Sequence, residues 1–122
     1  MFRRNEEKAA RKAAAKEEIA RLRAVPVDDL AVDVLPALGP DGPTRGTSIR
    51  VQQLCQYLLR DYPGAGQMDT LNLTAPVNRA LDMLDDAGLV SPISVQRTPV
   101  WRITPLGERI LAEGTVRERL LR

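Results

Sequence analysis

VNRALDMLDDAGLV, residues 77–90, is the stretch that decides the fold of this 122-residue chain. Its apolar side chains recur at the spacing of an α-helix, so one face of that helix is expected to pack against a core. These side chains are Val77, Ala80, Leu81 and Leu84. Gly88 stands where a left-handed residue often ends a helix, and the apolar pair Leu89 and Val90 follows at once. The stretch therefore predicts a packed helix that passes directly into a β-strand.

A β-hairpin and a closing helix are predicted downstream. LVSPISV (89–95) and VWRIT (100–104) have the composition of short strands, and the residues QRTP supply the turn between them. Thr104 and Pro105 are typical of an N-cap and a first helical residue. A helix is therefore expected directly after the second strand.

Two further helices are predicted upstream. The first begins at Val27 and ends near Leu38, because its apolar residues follow the helical period. The second begins after Ser48, which is a plausible N-cap. The segment GAGQMDTLNL (64–73) is predicted to be a linker, and Thr74 is predicted to cap the helix of the opening stretch.

Residues 1–24 form a basic, Ala-rich arm that is predicted to be helical. They carry a net charge of +4, whereas residues 25–122 carry −2. Only Ala15, Ile19 and Leu22 form an apolar seam, so we expect the last two turns to dock on the body and the first three to project into solvent. Cations at four-residue intervals form a ridge that is either a solvated face or a surface for phosphates or an acidic protein. This basic ridge consists of Arg4, Lys8, Lys12 and Lys16.

The composition argues against several classes of site. The chain has no histidine and a single cysteine, so no imidazole base, thiolate metal cluster or internal disulfide can be built from it. Cys55 lies on the apolar face of its predicted helix, which favours packing over reactivity. We expect no catalytic residue, no metal, no cofactor and no enzymatic activity. No apolar run is long enough for a membrane span or a signal peptide, which predicts a cytoplasmic protein without a membrane partner.

Three helices followed by a hairpin and a helix resemble the winged helix-turn-helix family. VNRALDMLDDAGLV is similar to the recognition helix and its exit into the wing, and WRITPLGERIL (101–111) is similar to the second wing strand and the helix after it. The resemblance implies a mainly α fold with a small β-hairpin (α+β), extended here by a charged N-terminal helix. The expected organisation is the arm over 1–24, a winged-helix domain over 25–113 and a short helical tail over 114–122.

The resemblance also implies binding of double-stranded DNA, as in a small transcriptional regulator or accessory factor. The third helix would enter the major groove, with Arg79 on guanine and Asn78 on adenine, and the wing would bring Arg97 and Arg102 to phosphates. With the ridge of the arm, the implied contact residues are Thr74, Ala75, Asn78, Arg79, Arg97, Arg102, Arg4, Lys8, Lys12 and Lys16.

The charge of the third helix leaves a second interpretation open. Three aspartates give this helix a net charge of −2 with Arg79, which opposes phosphate binding unless they point away from the groove. Asn78 is alternatively a solvated polar residue, and Arg79 alternatively pairs with an aspartate of its own helix. Winged helices also serve as protein-interaction adaptors, and exposed leucines at 120 and 121 would suit a homodimer or a host protein partner. The aspartates are Asp82, Asp85 and Asp86.

Overall fold

Helices dominate the fold, which contains one two-stranded antiparallel hairpin, in a computed structural model that describes residues 2–95 and 98–121. The helices are α1 (Phe2–Ala24), α2 (Val27–Leu38), α3 (Val51–Leu58), α4 (Gln67–Asn72), α5 (Thr74–Asp86), α6 (Pro105–Glu113) and α7 (Val116–Leu120). The strands are β1 (Val90–Val95) and β2 (Thr98–Ile103). The predicted mainly α architecture with a small hairpin is confirmed at this level.

The core lies where α2, α3 and α5 meet. All four predicted apolar residues of α5 are fully buried, and α2 buries a matching stripe. That stripe includes Leu30, Val34, Leu35 and Leu38. Each buried leucine or valine contributes about 1.5–3 kcal/mol relative to exposure, and Trp101 is a buried aromatic member of the same, mostly aliphatic, core. No polar side chain is buried among the residues that the structure describes.

Gly88 ends α5 as predicted. Its φ of +78° is in the left-handed region, which is strained for a residue with a Cβ atom. The Leu89 N–H donates to the Leu84 carbonyl (2.9 Å) and the Gly88 N–H donates to that of Asp85 (2.9 Å), which satisfies the last carbonyls of the helix. Leu89 and Leu84 are both fully buried, and the chain is therefore turned directly from α5 into β1.

The hairpin packs one face on the helices. Val90 pairs with Ile103 and Pro92 with Trp101 on this face. The backbone of Trp101 bonds to Ile49 and not to Pro92: its N–H donates to the Ile49 carbonyl and its carbonyl accepts from the Ile49 N–H, at 2.8 Å each. A single residue of the α2–α3 loop therefore extends the sheet. Pro92 has no N–H to donate, but no hydrogen bond is lost, because its partner on β2, Trp101, bonds to Ile49 on the other side.

The arm docks further along its length than predicted. Ala15, Ile19 and Leu22 are buried, which confirms that its last turns pack on the body. A Cβ atom built on Gly64 would stand 2.3 Å from the carbonyl carbon of Arg11, so the backbone of α1 touches the 63–66 turn there. The prediction that the first three turns project freely is therefore wrong for the third turn.

One helix was missed and two predicted helix starts are wrong. The predicted linker contains α4, in which the Gly66 N–H donates to the Asp69 carboxylate at 2.8 Å. The helix α3 begins at Val51, and its N-terminal bond runs from the Arg50 N–H to the Gln53 side chain (3.0 Å), not to Ser48. Thr74 is the first residue of α5 and makes no capping hydrogen bond, because Leu73 joins α4 and α5 almost continuously. By contrast, the predicted cap at Thr104 is present and accepts from the Gly107 N–H at 3.0 Å.

The short helix α7 closes the fold against α2. Val116 is buried in the core, and Arg117 forms an ion pair with Asp29 at the start of α2. The helix forms without a side-chain cap from Thr115. The prediction that Leu120 is exposed is wrong, because it is half-buried against the core. Leu121 is 69% exposed, as predicted.

Candidate nucleic-acid interface

The first two turns of α5 present the residues that the resemblance places in a major groove. Ala75, Asn78 and Arg79 are exposed, because the opposite side of the helix is buried against α2 and α3. Arg79 is turned toward α7 and lines a groove with Arg119. Asn78 and Arg79 consequently lean to different sides of the exposed face, separated by about 100° at 3.6 residues per turn.

Thr74 is half-buried at the start of α5. Its hydroxyl lies beside the thiol of Cys55, which is fully buried as predicted. Burial raises the pKa of Cys55 to about 11, and the Thr74 hydroxyl partly offsets that rise. Thr74 thus contributes to packing between α3 and α5, and Cys55 is an unreactive packing residue.

The aspartates of α5 do not point away from the exposed face. Asp82, Asp85 and Asp86 are all exposed, and Asp82 follows Asn78 and Arg79 by one turn in a direction between them. Neither Asp82 nor Asp86 forms an ion pair with Arg79, since the pairs found among the described residues join only Glu18 with Arg21 and Asp29 with Arg117. The alternative in which Arg79 pairs with an aspartate of its own helix is therefore not found. The second half of the exposed face is acidic.

The hairpin contributes one described cation. Arg102 is exposed on the face of the hairpin that carries Ser91, opposite to the face that packs on the core. The predicted contact at Arg97 lies outside the described residues.

The arm brings a group of cations to one side of the body. At 3.6 residues per turn, Arg4, Lys8 and Arg11 point within about 50° of the buried seam that docks the arm. These residues and Lys12 line a cleft of about 630 Å³ together with Asn5, Glu7, Pro63 and Gly64, so one carboxylate lies among the four cations. Lys16 is exposed but lies outside this cleft. We call Arg4, Lys8, Arg11 and Lys12, with the turn that faces them, the basic cleft.

Sequence reasoning missed Arg11 as a member of this group. Arg11 falls outside the four-residue repeat that defined the ridge, but it lies on the same side as Ala15 at helical spacing. Treating the arm as a docked helix, rather than as a free one, would have identified it.

One polar cluster fixes the position of α1 beside this cleft. The Tyr62 hydroxyl donates to Glu18 Oε2 at 2.8 Å, and Arg21 forms an ion pair with the same carboxylate. The hydrogen bond from Arg21 holds the pKa of Glu18 below its ordinary value of 4.5, although partial burial opposes this effect. The hydrogen bond from Tyr62 lowers the same pKa by a smaller amount. The cluster joins α1 to the turn that follows α3.

The basic cleft and the start of α5 are connected through α4. That helix packs against both α1 and α5, and Leu73 leads directly from it into α5. Met68 and Leu71 lie one turn apart on α4 and are 69% and 53% exposed. The cations of the arm, α4 and the first turn of α5 thus form one continuous stretch of structure.

The described part of the chain shows no candidate metal site. No group of three or more metal-ligating side chains gathers within residues 2–95 and 98–121. None of the helices described is both long and apolar enough to span a bilayer. Comparison with protein-family models, curated proteins and solved structures finds no match to this chain.

Proposed function

We propose that this protein binds double-stranded DNA as a winged-helix accessory or regulatory factor. The observation that carries the proposal is the basic cleft, which gathers four cations and the single carboxylate of Glu7 on one side of the docked arm, while α4 contacts both α1 and α5. Phosphate contacts supply a large share of the affinity of such proteins. The cleft therefore provides the positive charge that residues 25–122, with a net charge of −2, lack.

The arrangement around α5 supports a winged-helix mode of binding. An exposed first turn on a helix that is held from behind by two others, followed at once by a hairpin, is the arrangement that inserts a helix in a major groove. In this proposal Ala75 and Asn78 approach base edges, Arg97 and Arg102 approach phosphates, and the four cations of the basic cleft, Arg4, Lys8, Arg11 and Lys12, follow the backbone. Few side chains then read bases, so sequence preference is modest and salt dependence is strong.

Fluorescence anisotropy of a labelled 20-base-pair duplex tests the proposal. The full chain is titrated between about 50 and 200 mM salt, where each phosphate contact contributes about −0.9 to the slope of log K against log salt. Replacing Arg4, Lys8, Arg11 and Lys12 by glutamine should reduce the magnitude of that slope by about 3.6. An unchanged slope would show that the cleft does not contact the duplex.

Matched controls separate this role from a general loss of charge. Arg23→Gln and Arg109→Gln remove exposed cations that do not line the cleft, and each should leave the slope unchanged. Asn78→Ala should reduce the preference between duplexes by about 1–3 kcal/mol, with little effect on the slope, since its proposed partner is a base edge.

A second candidate function is protein binding by the same fold, which the acidic second half of the α5 face favours. Carboxylates at Asp82, Asp85 and Asp86 suit a basic protein surface better than a phosphate backbone. Absence of duplex binding by the full chain at about 50 mM salt, where phosphate contacts are strongest, would favour this alternative.

A further inference from the structure

A groove on α5 that shares no lining residue with the basic cleft is unexplained by DNA binding. It is about 610 Å³ in volume and lies between the second half of α5, the start of α2 and α7. Its apolar lining is half-buried and consists of Val27, Met83, Ala87 and Leu120. Leu121, which follows at the end of α7, is 69% exposed.

Four charged side chains line the same groove, and their signs balance. Arg79 and Arg119 supply two positive charges, and Asp82 and Asp86 supply two negative ones. None of the four forms an ion pair within the part of the chain that the structure describes. Opposite charges beside a shared apolar floor therefore remain available to a partner.

We propose that this groove is the contact surface between two copies of the chain related by a two-fold axis. In such a contact both copies contribute the same surface, so each charged residue needs a residue of opposite charge within that same surface. Two cations and two anions allow that condition to be met by an axis that brings the arginines of one copy to the aspartates of the other. A neutral, self-complementary groove suits a second copy better than a strongly charged partner.

The two-fold contact uses none of the residues proposed to bind DNA in the preceding section. Asn78 and the basic cleft lie outside the groove, whereas Arg79 lines it. This assigns Arg79 to self-association instead of base reading. The groove is small, so the dimer is expected to be weak and concentration-dependent.

Paired charge reversals test the proposal by analytical ultracentrifugation. Wild type should show a mass rising from 13.5 kDa toward twice that value as its concentration is raised from about 10 to 500 µM. The variant R79E/R119E carries only negative groove charges and the variant D82R/D86R only positive ones. Each alone should remain monomeric, whereas their equimolar mixture should form a heterodimer.

Two single variants serve as controls. Asp85→Arg changes an exposed aspartate of α5 that does not line the groove, and Arg23→Glu changes an exposed arginine of α1. Both should dimerise like wild type. A monomeric wild type at the highest concentration, or a mixture of the two reversed variants that fails to associate, would overturn the proposal. The readout is mass in the absence of DNA, so it is independent of duplex binding.

Discussion

Replacing Gly64 by alanine should displace the arm from the body. The added Cβ atom would stand 2.3 Å from the Arg11 carbonyl carbon, 2.4 Å from its oxygen and 2.6 Å from the Lys12 nitrogen. Ordinary contacts between such atoms are about 3.5 Å, so α1 and the turn must separate by about 1 Å. The obstacle is backbone on both sides, which no change of rotamer relieves.

The expected cost follows from that displacement. Overpacking a close contact costs about 1–3 kcal/mol, which lowers the midpoint of urea unfolding by about 0.5–1.5 M for a typical dependence on denaturant. Hydrogen exchange should show faster exchange at residues 8–14, since their helix loses its support. Duplex affinity should fall as well, because the cleft is no longer held beside α4.

Gly66→Ala is the matched control, two residues away in the same turn. Its Cβ atom would meet only the Asp69 carboxylate oxygen, at 3.9 Å. The loss of a glycine N-cap and the reduced freedom of the unfolded chain offset each other, so stability should remain within about 0.5 kcal/mol of wild type. Equal unfolding midpoints and equal exchange rates for the two variants would refute the close contact between α1 and the turn.

Two further predictions concern α1 and α3. Tyr62→Phe removes the hydrogen bond to Glu18 and should lower the free energy of unfolding by about 0.5–1.5 kcal/mol in urea titrations at neutral pH. The pKa of Glu18 is lowered in the folded state, so the ionised carboxylate stabilises the fold at pH values above its ordinary pKa of 4.5. That contribution is lost as the pH falls through the lowered pKa of the folded state. The loss of stability in acid should therefore be smaller in Tyr62→Phe than in wild type. Cys55 is buried, and burial raises its pKa to about 11. At pH 8 it should therefore react with a thiol reagent only as fast as the folded chain opens, whereas in urea it should react at the rate of a free thiol. Immediate labelling of the folded protein would contradict its burial.

Local sequence signals predicted the passage from α5 into the hairpin because short-range chemistry determines it. A glycine with positive φ at position 88, an apolar residue on either side of it and a capping threonine at 104 each act within a few residues. The Thr104 hydroxyl also donates to the Gly88 carbonyl at 2.6 Å, which joins the two signals in space. The predicted strands and the closing helix followed from the same local rules.

The missed elements depend on signals of another kind. The helix α4 buries none of its residues, so the sequence shows no apolar period there, and only Gly66 and Asp69 mark its start. The pairing of Ile49 with Trp101 joins residues from distant parts of the chain, and no local pattern specifies it. The contact of Gly64 with α1 is likewise a tertiary packing event.

The candidate site was predictable in part for the same reason. Helical spacing correctly predicted that Asn78, Arg79 and the three aspartates of α5 are exposed. Spacing within one helix did not reveal that Arg79 faces Arg119 of α7, or that Arg4 and Lys8 face the turn at Gly64. Those neighbours become visible only when the elements are assembled.

The charge pattern of α5 is consistent with a division of its exposed face between two partners. Asn78 leans away from the groove that Arg79 lines, and the aspartates at 82 and 86 share that groove with both arginines. If all of these residues faced one duplex, their carboxylates would oppose the phosphates that the arm attracts. Paired with arginines of a second copy, the two aspartates are neutralised instead. The surplus of acid on this helix and the surplus of base on the arm are then requirements of two separate contacts, which the salt slope and the sedimentation mass measure independently.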